Sequence, residues 1–268
     1  MADSSTPRSA PDDPAAMHRR AREVRAELSE CQQTGNYETF GEVIRDTDST
    51  PVAIHLKPER LEDLRCLLSL AKEELGRKKA APVTLRSAKY YEGVDLFISL
   101  DGKAGAGLTR ENRIVSFFKA PPNSPKNAMH HRAHDVMNEV ILRGGDHLVC
   151  LSHMLAYYNK HYGFELLAIV PRSPLDAYPG WTEQNNEDYE EEMRQFTVVT
   201  GEGDNQRTVA LPYVVMRLNP ALHEIIRQDG RLSETSQDFT NLNAFKQVPG
   251  VPAAYEEVVR TRAGSSGT

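Results

Sequence analysis

The sequence predicts a mixed α/β (α+β) domain, a mostly antiparallel twisted sheet flanked by helices, with polar extensions at both ends. Three observations carry that expectation. Apolar runs at Val94–Leu100, Ala104–Thr109 and Ile114–Phe118 are joined by short turns, which is the pattern of an antiparallel meander. A helix, a strand, a second helix and a further strand follow, and that order requires at least one parallel crossover. Residues 1–16, by contrast, are almost all Ser, Pro, Asp and Ala, too polar to offset the entropy of ordering, so they read as a disordered tail.

From the N-terminus, Met17, Ala21, Val24 and Leu28 fall on one helical stripe, with Arg19, Arg20, Arg22 and Arg25 around it. This helix and the chain to residue 50 read as an N-terminal arm, either a solvated helix or a basic docking surface for a protein partner. Val52–Leu56 is a short strand. Pro58 suits a first helical turn, and Leu61, Leu64, Leu67, Leu68, Ala71 and Leu75 form an apolar face that Gly76 ends. Val83–Leu85 continues as sheet, and Asp101-Gly102 is a tight-turn pair between strands. After the loop Pro121–Pro125, Met129, Ala133, Val136, Met137, Val140 and Ile141 share a helix face that stops at Gly144-Gly145. His147–Leu151 is a strand, 153–161 a short helix, and Phe164–Val170 another strand. Phe196–Thr200 and Val209–Leu218 are expected to pair as a hairpin, with a polar, partly flexible extension over 221–268. The main domain then spans 51–220.

Composition excludes several classes. The chain has 268 residues, 32 Lys+Arg against 38 Asp+Glu, and a formal charge of -6. An acidic chain is a poor nonspecific ligand for nucleic acid, whose affinity comes from concentrated cations. No apolar stretch approaches the roughly 18 residues that read as a membrane span, and the first residues lack the apolar segment of a secretory signal. Cys31, Cys66 and Cys150 are odd in number and far apart, so they form neither a disulfide framework nor a CxxC site. The expectation is a soluble, cytoplasmic protein without a membrane partner.

Some motifs are weak. Gly105-Ala106-Gly107 has two glycines of a dinucleotide fingerprint but lacks the third and the following helix, so it reads as hairpin glycine. No GxSxG elbow is present. His130, His131 and His134 have helical spacing for a metal, but zinc needs about four ligands, or three plus water, and surface histidines explain them as well.

The segment Leu155-Ala156-Tyr157-Tyr158-Asn159-Lys160-His161-Tyr162-Gly163-Phe164-Glu165 resembles the helix-to-strand junction, roughly LYxKxGF, of the general-control-related N-acetyltransferase (GNAT) superfamily. The upstream order of meander, loop, helix, Gly-Gly and strand is similar to that superfamily's cofactor-binding half. Ala177-Tyr178-Pro179-Gly180-Trp181 and Leu211-Pro212-Tyr213-Val214-Val215-Met216 resemble the tail of phage-associated or effector-type members, some of them virion-associated or delivered into a host cell. The similarity runs from about Val52 to Leu218.

That resemblance implies acetyl transfer from acetyl-CoA, as co-substrate, to a primary amine on a protein or a small molecule. An edge strand pairs with the pantetheine amides, here Ile114–Phe118 with Val115 and Phe117, and a helix N-terminus holds the pyrophosphate. Lys126, Asn127, His131, Arg132 and Ala133 are the cofactor candidates there. The family's [RQ]xxGx[GA] loop aligns with Ala128–Ala133, where His131 replaces a glycine and no Arg or Gln leads. Either this loop holds the phosphates differently or it does not bind the cofactor, and a catalytically inactive binding or structural module is the alternative reading. Tyr158 is the candidate acid for the departing thiolate, with Tyr157 second, and either ring also suits a packing role. His153 titrates near neutrality and is a candidate base. The acidic run from Glu183 to Glu192 suits attraction of a cationic substrate or simple solvation.

Overall fold

The computed structural model describes residues 13–76, 85–121, 126–151, 154–170, 197–200, 207–210 and 213–229. The first helix, α1 (Pro14–Thr34), begins where Asp13 accepts the Ala15 N–H at 3.1 Å and ends at Gly35 in the left-handed region, φ 72°. Its stripe of Met17, Ala21, Val24 and Leu28 is buried. The partner is α2 (Leu61–Leu75), whose Leu64, Leu67, Leu68 and Ala71 join the same core. Strand β1 (Gly41–Arg45) pairs antiparallel with β2 (Pro51–Leu56). Residues 17–50 are therefore not an appended arm; they supply a core helix and a strand of the main sheet.

Of the four arginines on α1, Arg20 and Arg25 are tied into the fold, while Arg19 and Arg22 stay exposed. Arg20 Nε donates to Asp63 at 2.9 Å and its Nη1 to Glu27 at 2.8 Å, while Arg25 bonds Glu74 at 2.6 Å. Asp63 also receives Arg60 at 2.7 Å, and its side chain is 5% exposed. Asp63→Ala is expected to destabilise the fold by about 2–3 kcal/mol in chemical denaturation. The 3–5 kcal/mol typical of breaking a buried pair is reduced because Arg20 is 36% exposed and both arginines keep Glu27.

The meander follows as β3 (Asp95–Ser99), β4 (Ala104–Leu108) and β5 (Arg113–Lys119). The Asp101-Gly102 turn closes the first hairpin, with Gly102 at φ 64° donating its N–H to Ser99 O at 2.9 Å. Gly105 and Gly107 lie inside β4 of that hairpin, where bulk is forbidden. A Cβ at Gly105 would stand 2.5 Å from the Phe118 ring. Gly105→Ala is expected to cost about 1–3 kcal/mol, the usual overpacking penalty, read as a lower denaturation midpoint.

Helix α3 (Lys126–Leu142) crosses over to β6 (His147–Leu151), which lies parallel to β5. Helix α4 (Leu155–Tyr162) and β7 (Phe164–Val170) follow. The expected second hairpin forms with a shorter and earlier second strand, and the part of it assigned to Tyr213–Leu218 is corrected. β8 (Thr197–Thr200) pairs with β9 (Arg207–Ala210) as a separate two-stranded sheet, and β10 (Tyr213–Leu218) inserts between β6 and β7. The main sheet has the order β1-β2-β3-β4-β5-β6-β10-β7, antiparallel at every junction except β5–β6. Helix α5 (Pro220–Asp229) buries His223 and Ile226, so the packed region runs past residue 220 to 229.

Alternation sorts the side chains to two faces. Ile54, Leu56, Leu96 and Ile98 meet α1 and α2; Ala53, Phe97, Ala106 and Ile114 meet α3 and α4. Residues 1–12, Val83, Trp181, the run Glu183–Glu192 and 230–268 lie outside the described residues. No helix among the described residues is long and apolar enough to cross a membrane.

Candidate functional site

Strand β5 breaks the period-2 rule. Ile114 and Phe118 are four residues apart and in a regular strand would share a face, yet Ile114 packs with α3 and Phe118 with α1 and α2. The register gives the cause. Gly107 pairs with Val115 and Gly105 with Phe118, so two steps along β4 match three along β5. The extra residue makes a β-bulge, and within it Ser116 adopts φ 53°. A non-glycine residue there costs on the order of 1–3 kcal/mol and persists only where its surroundings hold it. Tyr91, 1% exposed, does so through a 2.6 Å hydroxyl–hydroxyl bond to Ser116. Burial pushes the Tyr91 phenol up to about 12, keeping it protonated.

On its other edge β5 pairs with β6 only at Arg113–His147 and Ile114–Leu148. Beyond Ile114 the two strands share no ladder, while β6 remains paired to β10 through Leu151. The segments Val115–Lys119 and Val149–Leu151 thus flank a gap in the ladder, a slot in the hydrogen-bonding sense, across which no strand pairing runs. The bulge sits where the strands part.

Tyr158 on α4 lies against this slot. Its ring meets Phe117 of β5 edge-on at 6.3 Å between centroids, Tyr157 at 5.5 Å and Phe164 at 6.3 Å. It is 7% exposed. Burial, and then the neighbouring Cys150 and Tyr157, hold its phenol well above the ordinary tyrosine range, so it stays protonated at neutral pH. Cys150 of β6 donates its thiol to Met216 Sδ at 3.8 Å, and burial pushes that thiol far up, which leaves it protonated rather than nucleophilic. At the far end of β5, Lys119 Nζ lies 5.2 Å from the centre of the Tyr157 ring, and burial lowers its pKa.

The junction after Tyr158 has a local explanation. Gly163 takes φ 79° and donates its N–H to Asn159 O at 2.9 Å, ending α4 in a left-handed cap. Asn159 Nδ2 donates to Phe164 O at 3.0 Å, tying the helix to the strand. A side chain at Gly163 would come within 2.8 Å of the His223 backbone nitrogen.

The sequence-derived candidates are distributed unevenly. Tyr158 and Phe117 meet at the slot, and Val115 is buried on β5. Helix α3 follows β5 after a loop and returns to β6, so its start at Lys126 lies toward the open end, with first-turn N–H groups outside the helical ladder. Lys126, Asn127, His131 and Arg132 lie in α3, but their side chains fall outside the described residues, as does His153 altogether. Ala133 is 1% exposed and packs under the sheet well inside α3. Its amide belongs to the helix, which leaves Lys126–Met129 as the turn able to face a phosphate. His134 meets His161 edge-on at 5.2 Å and Tyr162 at a tilt at 5.0 Å, and no group of three or more potential metal ligands occurs among the described residues. Ser116, Tyr91 and Lys119 are not among the sequence-derived candidates, and Cys150 figures there only as one of three separate thiols. Their one visible signal is a lone hydroxyl residue within the apolar run Ile114–Phe118.

Comparison with protein-family models finds no match, and comparisons with curated proteins and with solved structures find no significant match either.

Proposed function

We propose that the chain is an N-acyltransferase of the GNAT type, transferring an acetyl group from acetyl-CoA to a primary amine. The observation that supports this most is the coincidence of three features at one place: the Ser116 bulge, the parting of β5 from β6, and Tyr158 between Phe117 and Cys150. A slot between two strands suits an extended amide-bearing arm, because the unjoined backbone edge of β5 can bond the arm's amides. The first turn of α3, where a helix dipole presents its positive end, suits a pyrophosphate at the open end.

In such a site the neutral amine attacks the thioester carbon, the new C–N bond forms and the C–S bond breaks. The departing thiolate takes a proton from the Tyr158 hydroxyl, and the amine loses one to solvent or a base. The acceptor is a primary amine on a protein or a small molecule. A rise in melting temperature with acetyl-CoA tests the binding half of the proposal, since a ligand that binds only the folded state stabilises it. Release of free CoA thiol in the presence of an amine tests the chemical half.

One observation favours a second reading, a catalytically inactive module of the same architecture. The Tyr158 ring is enclosed by Phe117, Tyr157 and Phe164, as a packing residue would be. Saturable acetyl-CoA binding without thiol release would select that reading.

A further inference from the structure

A recess of about 700 Å³ opens at the opposite end of the β5–β6 pair, where the two strands are still joined. Its size falls within the range of small-molecule sites. Tyr90, Val94, Thr109, Arg113 and His147 line its half-buried part, and Arg110, Glu111, Glu92 and Gly93 form its exposed rim. Arg113 precedes Ile114, so alternation directs it to the sheet face opposite α3, the side on which the Tyr90–Val94 segment lies.

The Arg113 guanidinium is the unusual group. Its Nε is buried with no hydrogen-bond partner, and it forms no ion pair among the described residues. A charged donor without an acceptor is costly, and the part of the Arg113 guanidinium that lines the recess is what an incoming oxyanion would meet, neutralising the charge next to the closed-off Nε. The neighbouring His147 is already engaged, since its Nδ1 lies 2.6 Å from Asp146 Oδ1. The turn beneath is rigid: Arg113 N–H donates to Thr109 Oγ1 at 3.2 Å and Thr109 N–H to Arg113 O at 3.0 Å.

The rim determines what else the ligand carries. Arg110 lies flat over Gly93, where a Cβ would stand 3.3 Å from its Nη2. Glu111 is held below the ordinary carboxylate range by the Thr109 hydroxyl, its own backbone N–H, Arg110 and His147, so it is ionised at neutral pH. Glu92 adds a second exposed carboxylate. Two arginines and two glutamates leave the lining balanced, which disfavours a polyanion such as a nucleoside triphosphate.

We propose that this recess binds a small zwitterion of the amino-acid type, its oxyanion on Arg113 and its ammonium toward Glu92 and Glu111. The acyl-transfer reading is not required for this, because the recess and the slot occupy opposite ends of the same two strands.

Calorimetric titration of the full chain with ω-amino acids of three to six carbons, beside the matching carboxylates and alkylamines, tests it without a thioester present. At least one amino acid is expected to bind tenfold or more tightly than both of its single-charge counterparts. Arg113→Gln is expected to weaken that binding at least tenfold. Glu111→Gln, at an exposed position, is expected to reduce the advantage of the amino acid over the carboxylate while leaving carboxylate binding in place. No heat from any member of the series, equal affinity for amino acid and carboxylate, or an advantage unaltered in Glu111→Gln would each overturn the proposal.

Discussion

Tyr158→Phe is expected to slow acetyl transfer by about 10²-fold or more, the lower end of what a positioned acid or base contributes. Acetyl-CoA affinity and thermal stability are expected to stay close to those of the parent protein. The reason is that the substitution removes one hydroxyl and nothing else. The ring contacts with Phe117, Tyr157 and Phe164 are made by carbon, and phenylalanine keeps them. What disappears is a phenol beside both Phe117 of β5 and Cys150 of β6, held protonated at neutral pH by its burial. Cys150, another protonated group beside it, already directs its thiol to Met216 Sδ at 3.8 Å. Tyr157→Phe serves as the control. Tyr157 also packs against Tyr158 and is also raised by burial, but its ring lies toward Lys119 and His161. A fall in turnover confined to Tyr158→Phe, measured as CoA thiol release with saturating amine, identifies the donor. Equal turnover in Tyr158→Phe and the parent assigns Tyr158 to packing.

Deletion of Ser116 is expected to abolish acetyl-CoA binding without unfolding the protein. The argument rests on parity. Ile114 and Phe117 face α3 and α4, and Phe118 faces α1 and α2. With Ser116 absent, Phe117 becomes the second residue after Val115's predecessor Ile114 and Phe118 the third, which are the faces a regular strand would give them. The chain would lose its bulge and keep every core side chain where it now packs. β5 could then run straight and extend its ladder with β6 past Ile114–Leu148, closing the slot. The cost is the Tyr91 hydroxyl, which would lose its 2.6 Å partner while buried, about 1–3 kcal/mol. Tyr91→Phe in the same chain removes that penalty and separates loss of the slot from loss of stability. Cooperative thermal unfolding with no ligand-induced shift is the expected outcome for the double variant.

Much of the architecture is legible in the sequence because it is local. The stripes of α1, α2 and α3 recur at helical spacing, and Gly102 and Gly163 mark turns that need positive φ. The GNAT resemblance rested on the same kind of signal, the Tyr157–Glu165 junction, where a left-handed glycine cap passes directly into β7. The misplaced elements are those whose partners are distant. Nothing in Pro14–Thr34 reveals that Arg20 will meet Asp63, 43 residues on. Nor does Tyr213–Leu218 reveal that it will insert between β6 and β7 rather than fold back on Phe196–Thr200, since both pairings satisfy its apolar residues. Helix α5 reads as polar extension in sequence because its burial of His223 and Ile226 depends on a distant element, the end of α4, where His223 Nδ1 lies 3.0 Å from Tyr162 O.

The bulge was hidden for a different reason. Alternation detects a register change only when one face is polar, and β5 buries Ile114 on one face and Phe118 on the other. A run that is apolar on both sides reads the same with or without an inserted residue. Ala133 illustrates the converse: motif alignment placed it at a phosphate loop, whereas its position on the apolar stripe of α3 already marked it as core.

The most direct measurement is a calorimetric titration of the full chain with acetyl-CoA, run in parallel on the Ser116-deleted Tyr91→Phe chain. Saturable heat in the parent and none in the variant is the outcome expected if a parted strand pair is the binding element. No heat from the parent up to millimolar acetyl-CoA, or identical isotherms from the two chains, would contradict it.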